Sequence, residues 1–504
     1  MKTMRYLLAL PILLGVLLSS CRHTDSELLY RAVPADASLL LSIRAGSLIK
    51  KSALVQQLSP FATLLSLRRE TPKKLSDILK DPRQAGLDLD ELLLFGDDDL
   101  VNAAIIARVA NRQKLVETIE ALVEVEAFDE LIREGDIYHA ACSGFLEYFI
   151  LFNDQLAVII PSFDTSLDEV KILAATCLTR QRQESILSVP SFAGAILPDD
   201  DLSAYLNCDP ELLGNNDFLA PLLPFVNIAP GNHAKLTGAG GIAFRDGNIR
   251  AAARLLSPLV APAAPPRPLA RAFLDYIPAP ALVAFIANGD GDICRAVLDA
   301  ATYSMRVRMI LYRLFDALPD LEDAIGTFPF SSINGEVALA ILPGDPLPTA
   351  ILYAEVKDNR PVEAINNCFA TGAGCLPVPV DKLDDDTYHV DFDPLDLYYG
   401  IKNGHFYLTT SRDLAANAGV KATASLAASP FAKRVPTDAG AYLHVDIAAL
   451  PFPYISTSIA QFESLDTHLT ADGKEFTLDL RLKDTSRNAL TVLADIIKRQ
   501  IIGF

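Results

Sequence analysis

The sequence predicts an α+β fold that occurs twice in tandem. Each internally duplicated domain is expected to be a mostly antiparallel or mixed sheet with helices packed on one face. Short apolar runs separated by turn residues indicate strands joined by hairpins. Motifs of the first half recur in the same order in the second half, and a proline-rich segment separates the halves. A chain of 504 residues is also longer than one hydrophobic core usually serves.

Composition and charge exclude several classes of protein. Half of the residues are hydrophobic and 21% are charged with mixed signs, which is ordinary for a globular protein. Collagen-like, low-complexity and wholly disordered chains are therefore excluded. The formal net charge of −19 could not neutralise a row of phosphates, so no nucleic-acid partner is expected.

The N-terminus has the layout of a secretory signal. A positively charged start precedes an apolar run, Tyr6 to Leu18, that is too short to span a bilayer comfortably. The run ends in Leu18-Ser19-Ser20-Cys21, which resembles the lipobox of bacterial lipoproteins. By that resemblance residues 1–20 are a lipoprotein signal peptide and Cys21 is the lipid-attachment residue. The alternative is an ordinary signal peptide with an incidental cysteine.

Lipidation of Cys21 would anchor the mature chain without a membrane-spanning helix, because each buried CH₂ of an acyl chain contributes about 0.8 kcal/mol. No later segment contains 18 consecutive apolar residues, so no transmembrane span is predicted. Residues 21–32 are predicted to be a lipid-proximal tether. The protein is therefore expected to be exported and lipid-anchored at the bacterial cell envelope, with the outer membrane as the expected location.

The first repeat domain is predicted over residues 33–256. Its first strand is the apolar run Ser38 to Ile43. Further along, the strand Ala104 to Val109 leads into a helix, because apolar residues then recur three or four positions apart. Turn residues between strand-like runs predict hairpins at Asn153-Asp154 and Asp246-Gly247.

The second repeat domain, residues 269–504, contains matching motifs in the same order. The best match pairs Asp136–His139 with Asp386–His389. Other matched features, with the first copy given first, are Tyr205 and Tyr442, Asn153-Asp154 and Asn403-Gly404, and Asp246-Gly247 and Asp472-Gly473. Because one accidental match does not explain a series, the sequence predicts an internal duplication.

The segment 257–268 is predicted to link the two domains. It contains five prolines. Proline lacks a backbone donor and stiffens the chain, so this segment is expected to be a connector rather than part of a sheet.

Several motifs together are similar to those of one protein family. They are the Pro34–Ala37 opening after a lipobox, Asp81-Pro82 with Gly86-Leu87-Asp88, Tyr399–Gly404, and Lys483-Asp484 with Asn488-Ala489-Leu490. These motifs resemble the Bacteroidota lipoproteins catalogued only as domain of unknown function 4836. The resemblance covers nearly the whole mature chain and implies an envelope location in a two-membrane bacterium. Its motifs are structural rather than catalytic, so it implies no activity.

The usual catalytic signatures are absent from the sequence. It contains no Gly-x-Ser-x-Gly elbow, no His-Glu-x-x-His, no P-loop and no complete Gly-x-Gly-x-x-Gly. No catalytic residue, cofactor or metal ligand is therefore predicted. Acidic runs at Asp97–Asp99, Asp199–Asp201 and Asp384–Asp386 are interpreted as solvated turns, because calcium needs six or more converging oxygens.

Histidines and cysteines are the remaining candidates for chemistry. His139 and His389 recur at matched positions and are interpreted as scaffold residues of the repeat, with a metal or acid–base role as the alternative. His444 is one of five other histidines that lack ligand spacing. A disulfide between Cys368 and Cys375 would close a small loop, and an exported location permits one. Four further cysteines lie in or beside apolar segments and are expected to be small buried side chains.

Two functions are compatible with these features. The first is a non-catalytic envelope lipoprotein that offers a protein-interaction or scaffold surface to an unidentified envelope protein. It fits the duplication, the lipid anchor and the missing catalytic motifs. The alternative is an envelope hydrolase, or a small-ligand or glycan-binding lipoprotein, with a site between the two domains. The lack of tryptophan counts against glycans, because tryptophan offers the largest stacking face.

Overall fold

The chain divides into two units, and each is built around one large antiparallel sheet. The structure is a computed structural model, and it describes residues 27–52, 72–97, 103–142, 148–161, 167–196, 199–209, 226–227, 235–257, 261–262, 266–291, 328–344, 348–371, 378–392, 395–450 and 459–502. The first unit comprises Met1–Asp209, Lys235–Ser257 and Asp484–Phe504, and the second comprises Pro210–Ala234 and Pro258–Lys483.

The sheet of the first unit has ten strands within the described ranges. Their bounds are β1 Leu39–Ile43, β2 Leu87–Gly96, β3 Ala104–Val109, β4 Ile132–Glu134, β5 Ile137–Cys142, β6 Tyr148–Phe152, β7 Leu156–Pro161, β8 Leu202–Cys208, β9 Leu236–Arg245 and β10 Asn248–Leu255. The order across the sheet is 4-5-6-7-3-2-1-8-9-10, and all these neighbours are antiparallel.

The second unit repeats this sheet strand for strand. Its strands are β11 Val283–Asn288, β12 Ile333–Leu342, β13 Thr349–Val356, β14 Asp381–Lys382, β15 Tyr388–Phe392, β16 Leu395–Lys402, β17 His405–Thr409, β18 Ala439–Asp446, β19 Phe462–Thr470 and β20 Glu475–Leu482. Their order is 14-15-16-17-13-12-11-18-19-20, again with antiparallel neighbours. Adding ten to each strand number of the first unit gives this order. The predicted duplication of an α+β domain is therefore confirmed.

Matched tyrosines occupy equivalent places in the two sheets. Tyr138 on β5 pairs with Phe152 on β6, and their rings stack 5.2 Å apart. Tyr388 on β15 pairs with Tyr399 on β16, and these rings stack 5.7 Å apart. The predicted alignment of the two copies therefore holds at the level of individual side chains.

Helices cover both faces of each sheet. They are α1 Glu27–Ala32, α2 Ala45–Ser52, α3 Lys73–Lys80, α4 Arg112–Glu124, α5 Leu167–Thr179, α6 Arg360–Thr371, α7 Arg412–Ala416, α8 Pro430–Arg434 and α9 Ala489–Ile502. Helices α3 and α4 contribute to one core of the first unit, and α1 and α5 contribute to another. In the second unit α6 packs in one core, whereas α7 and α8 pack in the other.

The prediction of helices on one face only was wrong. Successive residues of β6 belong to different cores, since Ile150 packs with α4 and Leu151 packs with α5. Residues 149–152 are all buried, which is the continuous apolar pattern of a strand covered on both sides. None of the helices in the described ranges combines the length and apolar composition of a membrane span.

Three segments differ from the expected domain layout. Residues 27–32 of the predicted tether form α1, because Leu29 and Tyr30 are buried in the first unit's core. Helix α9 belongs to the first unit, whereas all of 269–504 was expected in the second domain. In the predicted linker, Ala261 and Pro262 pair with two residues at 226–227. The signal peptide, 1–20, lies outside the described residues, and its assignment stays a prediction.

Candidate functional site

A pocket in the second unit is lined by charged and polar side chains as well as apolar ones. Its volume is about 380 Å³. It is lined by α8, by the end of β18, by the start of β19 and by the segment before β11. Phe431 and Leu426 form part of its apolar wall, and Arg434, His444 and Ser464 contribute polar atoms.

Strand register brings the central pair of this pocket together. His444 on β18 lies directly opposite Asp466 on β19. Nδ1 of His444 is 2.8 Å from Oδ1 of Asp466, and both side chains are buried. The hydroxyl of Tyr442, two residues before His444 and therefore on the same face, donates to the same carboxylate oxygen. The pocket is thus backed by a buried Tyr–Asp–His cluster.

Burial and hydrogen bonding shift the pKa values of two members of this cluster, Asp466 and Tyr442. Burial alone would raise the pKa of Asp466, but hydrogen bonds from His444 and Tyr442 outweigh it and hold that pKa below its ordinary value. Burial, assisted by the neighbouring carboxylate, raises the pKa of Tyr442, which therefore stays a neutral donor. Nδ1 of His444 faces Asp466 Oδ1, so Nε2 is the ring nitrogen that this contact leaves free.

Two buried oxygens at this site have no hydrogen-bond partner among the residues that the structure describes. They are Ser464 Oγ, which lines the pocket, and Asp466 Oδ2. Two guanidinium groups lie near Asp466 Oδ2 without bonding to it, at 4.0 Å for Arg434 and 3.8 Å for Arg481. Buried polar atoms are usually satisfied, so an unsatisfied hydroxyl on a pocket wall is a feature that a ligand would explain.

The first unit lacks the charged pair. Tyr205 occupies the place of Tyr442, but the next matched pair across the two strands is Asn207 and Thr237 instead of His444 and Asp466. The Tyr205 hydroxyl lies 2.8 Å from Ser191 Oγ rather than beside a carboxylate. A requirement of the shared fold would be present in both copies. The His–Asp pair is therefore particular to the second copy.

Two buried glutamates, unlike the His–Asp pair, are present at matched positions in both copies. Glu91 and Glu336 each stand just before regular pairing resumes after a register shift, in β2 and β12 respectively. Glu91 accepts hydrogen bonds from Tyr30 on α1 and from Ser42 Oγ, the latter at 2.7 Å. Glu336 accepts from the backbone N–H groups of Arg271 and Phe273, and burial raises its pKa. In each copy the carboxylate holds the segment that precedes the first strand.

The two histidines singled out from the sequence have similar surroundings. His139 lies 3.4 Å from a carboxylate oxygen of Glu134 and against the ring of Phe149. His389 lies 2.8 Å from a carboxylate oxygen of Asp396 and stacks on Tyr398 at 4.7 Å. No group of three or more potential metal-ligating side chains converges anywhere in the part of the chain described.

Asp201 corrects the interpretation of the acidic runs. Its side chain is only 2% exposed, so it is not a solvated turn residue. It accepts from Lys51 Nζ and Ser47 Oγ on α2, both at 2.6 Å, and from the backbone N–H of Phe244 at 2.7 Å. The cation on α2 compensates the buried carboxylate, which ties that helix to the sheet. Asp384 is an exposed turn residue as expected, with Oδ1 accepting from Asp386 N at 2.8 Å.

The predicted cysteine sites remain predictions. Cys21 and Cys375 lie outside the described residues, and Cys368 is half-buried on α6. Three of the other cysteines, Cys142, Cys177 and Cys208, are buried as expected. Burial raises the pKa of Cys177 to about 11, so its thiol stays protonated at neutral pH.

Sequence reasoning missed the His444–Asp466 pair because the two residues are 22 positions apart and meet only through strand register. The sequence did contain one signal. When Tyr205 is aligned with Tyr442, His444 of the second copy aligns with Asn207 of the first, which is a neutral residue. A change of chemistry between duplicated copies marks a position that the common fold does not dictate.

Comparison with known proteins identifies the family. No curated protein matches the chain. A solved structure titled "Structure of crystal form I of TP0453" is similar over 47% of this chain and 80% of that chain, with 9% identity and a TM-score of 0.27. A likeness at that level supports no inference about fold or function. The family model described as domain of unknown function (DUF4836) matches residues 30–209 and 273–497, which together exceed half of the chain. The chain therefore belongs to the DUF4836 family.

Proposed function

We propose that this protein is a lipid-anchored lipoprotein of the bacterial cell envelope whose body is a non-catalytic scaffold for an envelope protein partner. The observation that carries the scaffold role is the matched pair Glu91 and Glu336. In both copies a buried carboxylate, a group that could serve acid–base chemistry, instead accepts hydrogen bonds that hold the fold. The buried carboxylate that the two copies share therefore has a structural role.

The anchor is supported by Leu18-Ser19-Ser20-Cys21 and by the position of the first described helix. Helix α1 begins at Glu27, six residues after Cys21. Six residues span at most about 20 Å even when fully extended. A lipid on Cys21 would hold the first unit close to the membrane surface.

Metabolic labelling with an alkyne fatty acid, followed by membrane fractionation, tests the anchor. The wild-type chain is expected to carry the label and to sediment with membranes. Cys21→Ser should lose the label and leave the membrane fraction, because the acceptor thiol is gone. Cys368→Ser is the matched control and should keep both properties. An unlabelled wild-type chain, or a labelled Cys21→Ser variant, would contradict the proposal.

The scaffold role is tested by crosslinking the anchored protein in intact cells. A single envelope protein captured at defined stoichiometry by the wild type, and lost with Cys21→Ser, is the expected result. Capture of no protein in reproducible stoichiometry would overturn the scaffold role. That outcome would leave the labelling result untouched, so the anchor and the scaffold are judged separately.

A second candidate function is the binding of a small ligand, and the pocket around His444 specifically favours it. This candidate does not require the scaffold role, because the charged pair occurs in one copy and the structural glutamates occur in both.

A further inference from the structure

We infer that the pocket of the second unit binds a short peptide in zwitterionic form, of dipeptide size, through both of its termini. This inference rests on the second candidate function, ligand binding, and specifies its ligand. The pocket volume of about 380 Å³ is at the small end of the range for ligand sites, which suits a ligand of this size.

Arg434 supplies the group that would bind the peptide carboxylate. Its side chain is 29% exposed on the pocket wall, and the nearest acidic oxygen, Asp466 Oδ2, is 4.0 Å from its NH1 atom. No hydrogen bond occupies its guanidinium among the described residues, so its donors can form a bidentate pair with a carboxylate.

Glu463 and Asp446 supply the opposite charge for the peptide ammonium group. Glu463 lines the pocket and is exposed. Asp446 uses Oδ1 to accept from the backbone N–H of Ala449 at 3.1 Å, which leaves its other oxygen available. A cation and two carboxylates around one small volume match a ligand that carries both charges.

Two further groups match the peptide bond itself. Nδ1 of His444 lies 2.8 Å from Asp466 Oδ1, which leaves Nε2 for the ligand, and in the neutral imidazole that nitrogen accepts a hydrogen bond. Ser464 Oγ is a buried hydroxyl without a described partner on the same pocket wall. An amide N–H donated to His444 and a carbonyl that accepts from Ser464 would satisfy both. The adjoining apolar wall, with Phe431 and Leu426, would receive an aliphatic side chain.

The first copy shows what the fold contains without this site. Phe192 matches Phe431, since each packs edge-on against the matched tyrosine. Counting on from that phenylalanine, Ala195 stands where the second copy has Arg434. Together with Asn207 and Thr237 in place of the His–Asp pair, this leaves the first copy without the cation and without the oriented imidazole.

Isothermal titration of the purified full-length chain with L-alanyl-L-leucine tests the inference. We expect saturable binding of one peptide per chain. N-acetylation of the peptide removes the ammonium charge, and C-terminal amidation removes the carboxylate. Each change should weaken binding by about tenfold or more, because each deletes one charged hydrogen-bonding partner. Glucose, with neither charge, should not compete.

Variants that copy the first unit give the matched test. His444→Asn with Asp466→Thr installs the residues of the first copy and should weaken binding by about tenfold or more, as should Arg434→Ala. His389→Asn is the control, because His389 also pairs with a carboxylate but is not part of the pocket wall. It should leave affinity unchanged. Circular dichroism confirms that each variant is folded before its affinity is compared.

Three results would overturn the inference. One is the absence of saturable binding of L-alanyl-L-leucine to the wild type. Another is an acetylated or an amidated peptide that binds as tightly as unmodified L-alanyl-L-leucine. The third is wild-type affinity in a folded His444→Asn, Asp466→Thr chain. None of these outcomes bears on the lipid label or the crosslinked partner, so failure here is distinguishable from failure of the anchor or the scaffold.

Discussion

Glu91 shows at the residue scale how a charged side chain serves the fold. Its carboxylate accepts from the hydroxyl groups of Tyr30 and Ser42 in the interior of the first unit. Burial, assisted by Glu91, raises the pKa of Tyr30, so that residue remains a neutral donor. The arrangement joins α1 to the sheet through hydrogen bonds that water cannot replace.

Glu91→Ala should lower the free energy of unfolding of the first unit by about 2–3 kcal/mol, because two buried hydroxyl groups lose their acceptor. Urea denaturation followed by circular dichroism measures the change. Glu91→Gln retains a side-chain oxygen that can accept from both hydroxyls, so its loss should be clearly smaller. Equal losses in the two variants would mean that the hydrogen bonds are not what Glu91 contributes.

Single residues were the hardest scale to predict from the sequence. The run Asp199–Asp201 looked like a solvated turn, because nothing nearby in the sequence shows that Lys51 will reach Asp201. His444 looked isolated for the same reason. Partners that are distant along the chain depend on strand order and register, and those are properties of the complete sheet.

At the scale of elements, the start of β2 and the start of α4 depend on one glycine. Gly86 has a φ of +91°, and a Cβ placed on it would lie 2.4 Å from Leu115 N and 2.6 Å from Asn111 O. Its carbonyl oxygen accepts from the backbone N–H groups of Ala110 and Asn111, both at 2.9 Å. The helix N-terminus therefore rests directly on the glycine backbone.

Gly86→Ala should destabilise the first unit by clearly more than the roughly 1–2 kcal/mol that a positive φ alone costs an alanine. The added methyl group would collide with backbone that cannot move without displacing α4. Gly135→Ala is the control, because Gly135 has a φ of +63° but no atom within 4 Å of the position that a Cβ would take. Thermal unfolding of the two variants gives the comparison, and similar midpoints would contradict a steric role for Gly86.

Local patterns predicted many elements well. The strand Ala104–Val109 has the expected bounds, and the turns Asn153-Asp154 and Asn403-Gly404 each join two strands of a hairpin. These features depend on nearby residues, such as apolar runs bounded by turn formers. The face that each helix covers was not predicted, because an apolar helix stripe does not show which side of a sheet it meets.

At the scale of the whole molecule, the two units differ in how the chain builds them. The first unit is completed by residues after 483. Ala489 and Val492 of α9 are buried, Thr491 donates to the carbonyl of Lys51, and Asn488 Nδ2 donates to Asp246 Oδ1 at 3.1 Å. This helix was expected in the second domain because it follows the strands of that domain directly in the sequence.

A chain that ends after Lys483 should therefore lose stability in the first unit, by about 2 kcal/mol or more from the lost apolar burial. Hydrogen exchange should show reduced protection in α2 and at the Asp246–Gly247 turn, with the strands β15–β17 of the second unit unchanged. A chain that ends after Lys498 keeps Ala489 and Val492, the buried apolar residues described on α9, and serves as the control. Reduced protection confined to the second unit would refute this assignment.

The late position of α9 also sets an order in time. A polypeptide is made from its N-terminus, and domains made first usually fold first. Here the first unit cannot complete its folding early, because α9, which belongs to it, is synthesised after the whole of the second unit. The second unit can complete its sheet while the first still exposes the surface that α9 will cover. The first unit, which contains the N-terminal residues, would thus be the later of the two units to reach its final stability.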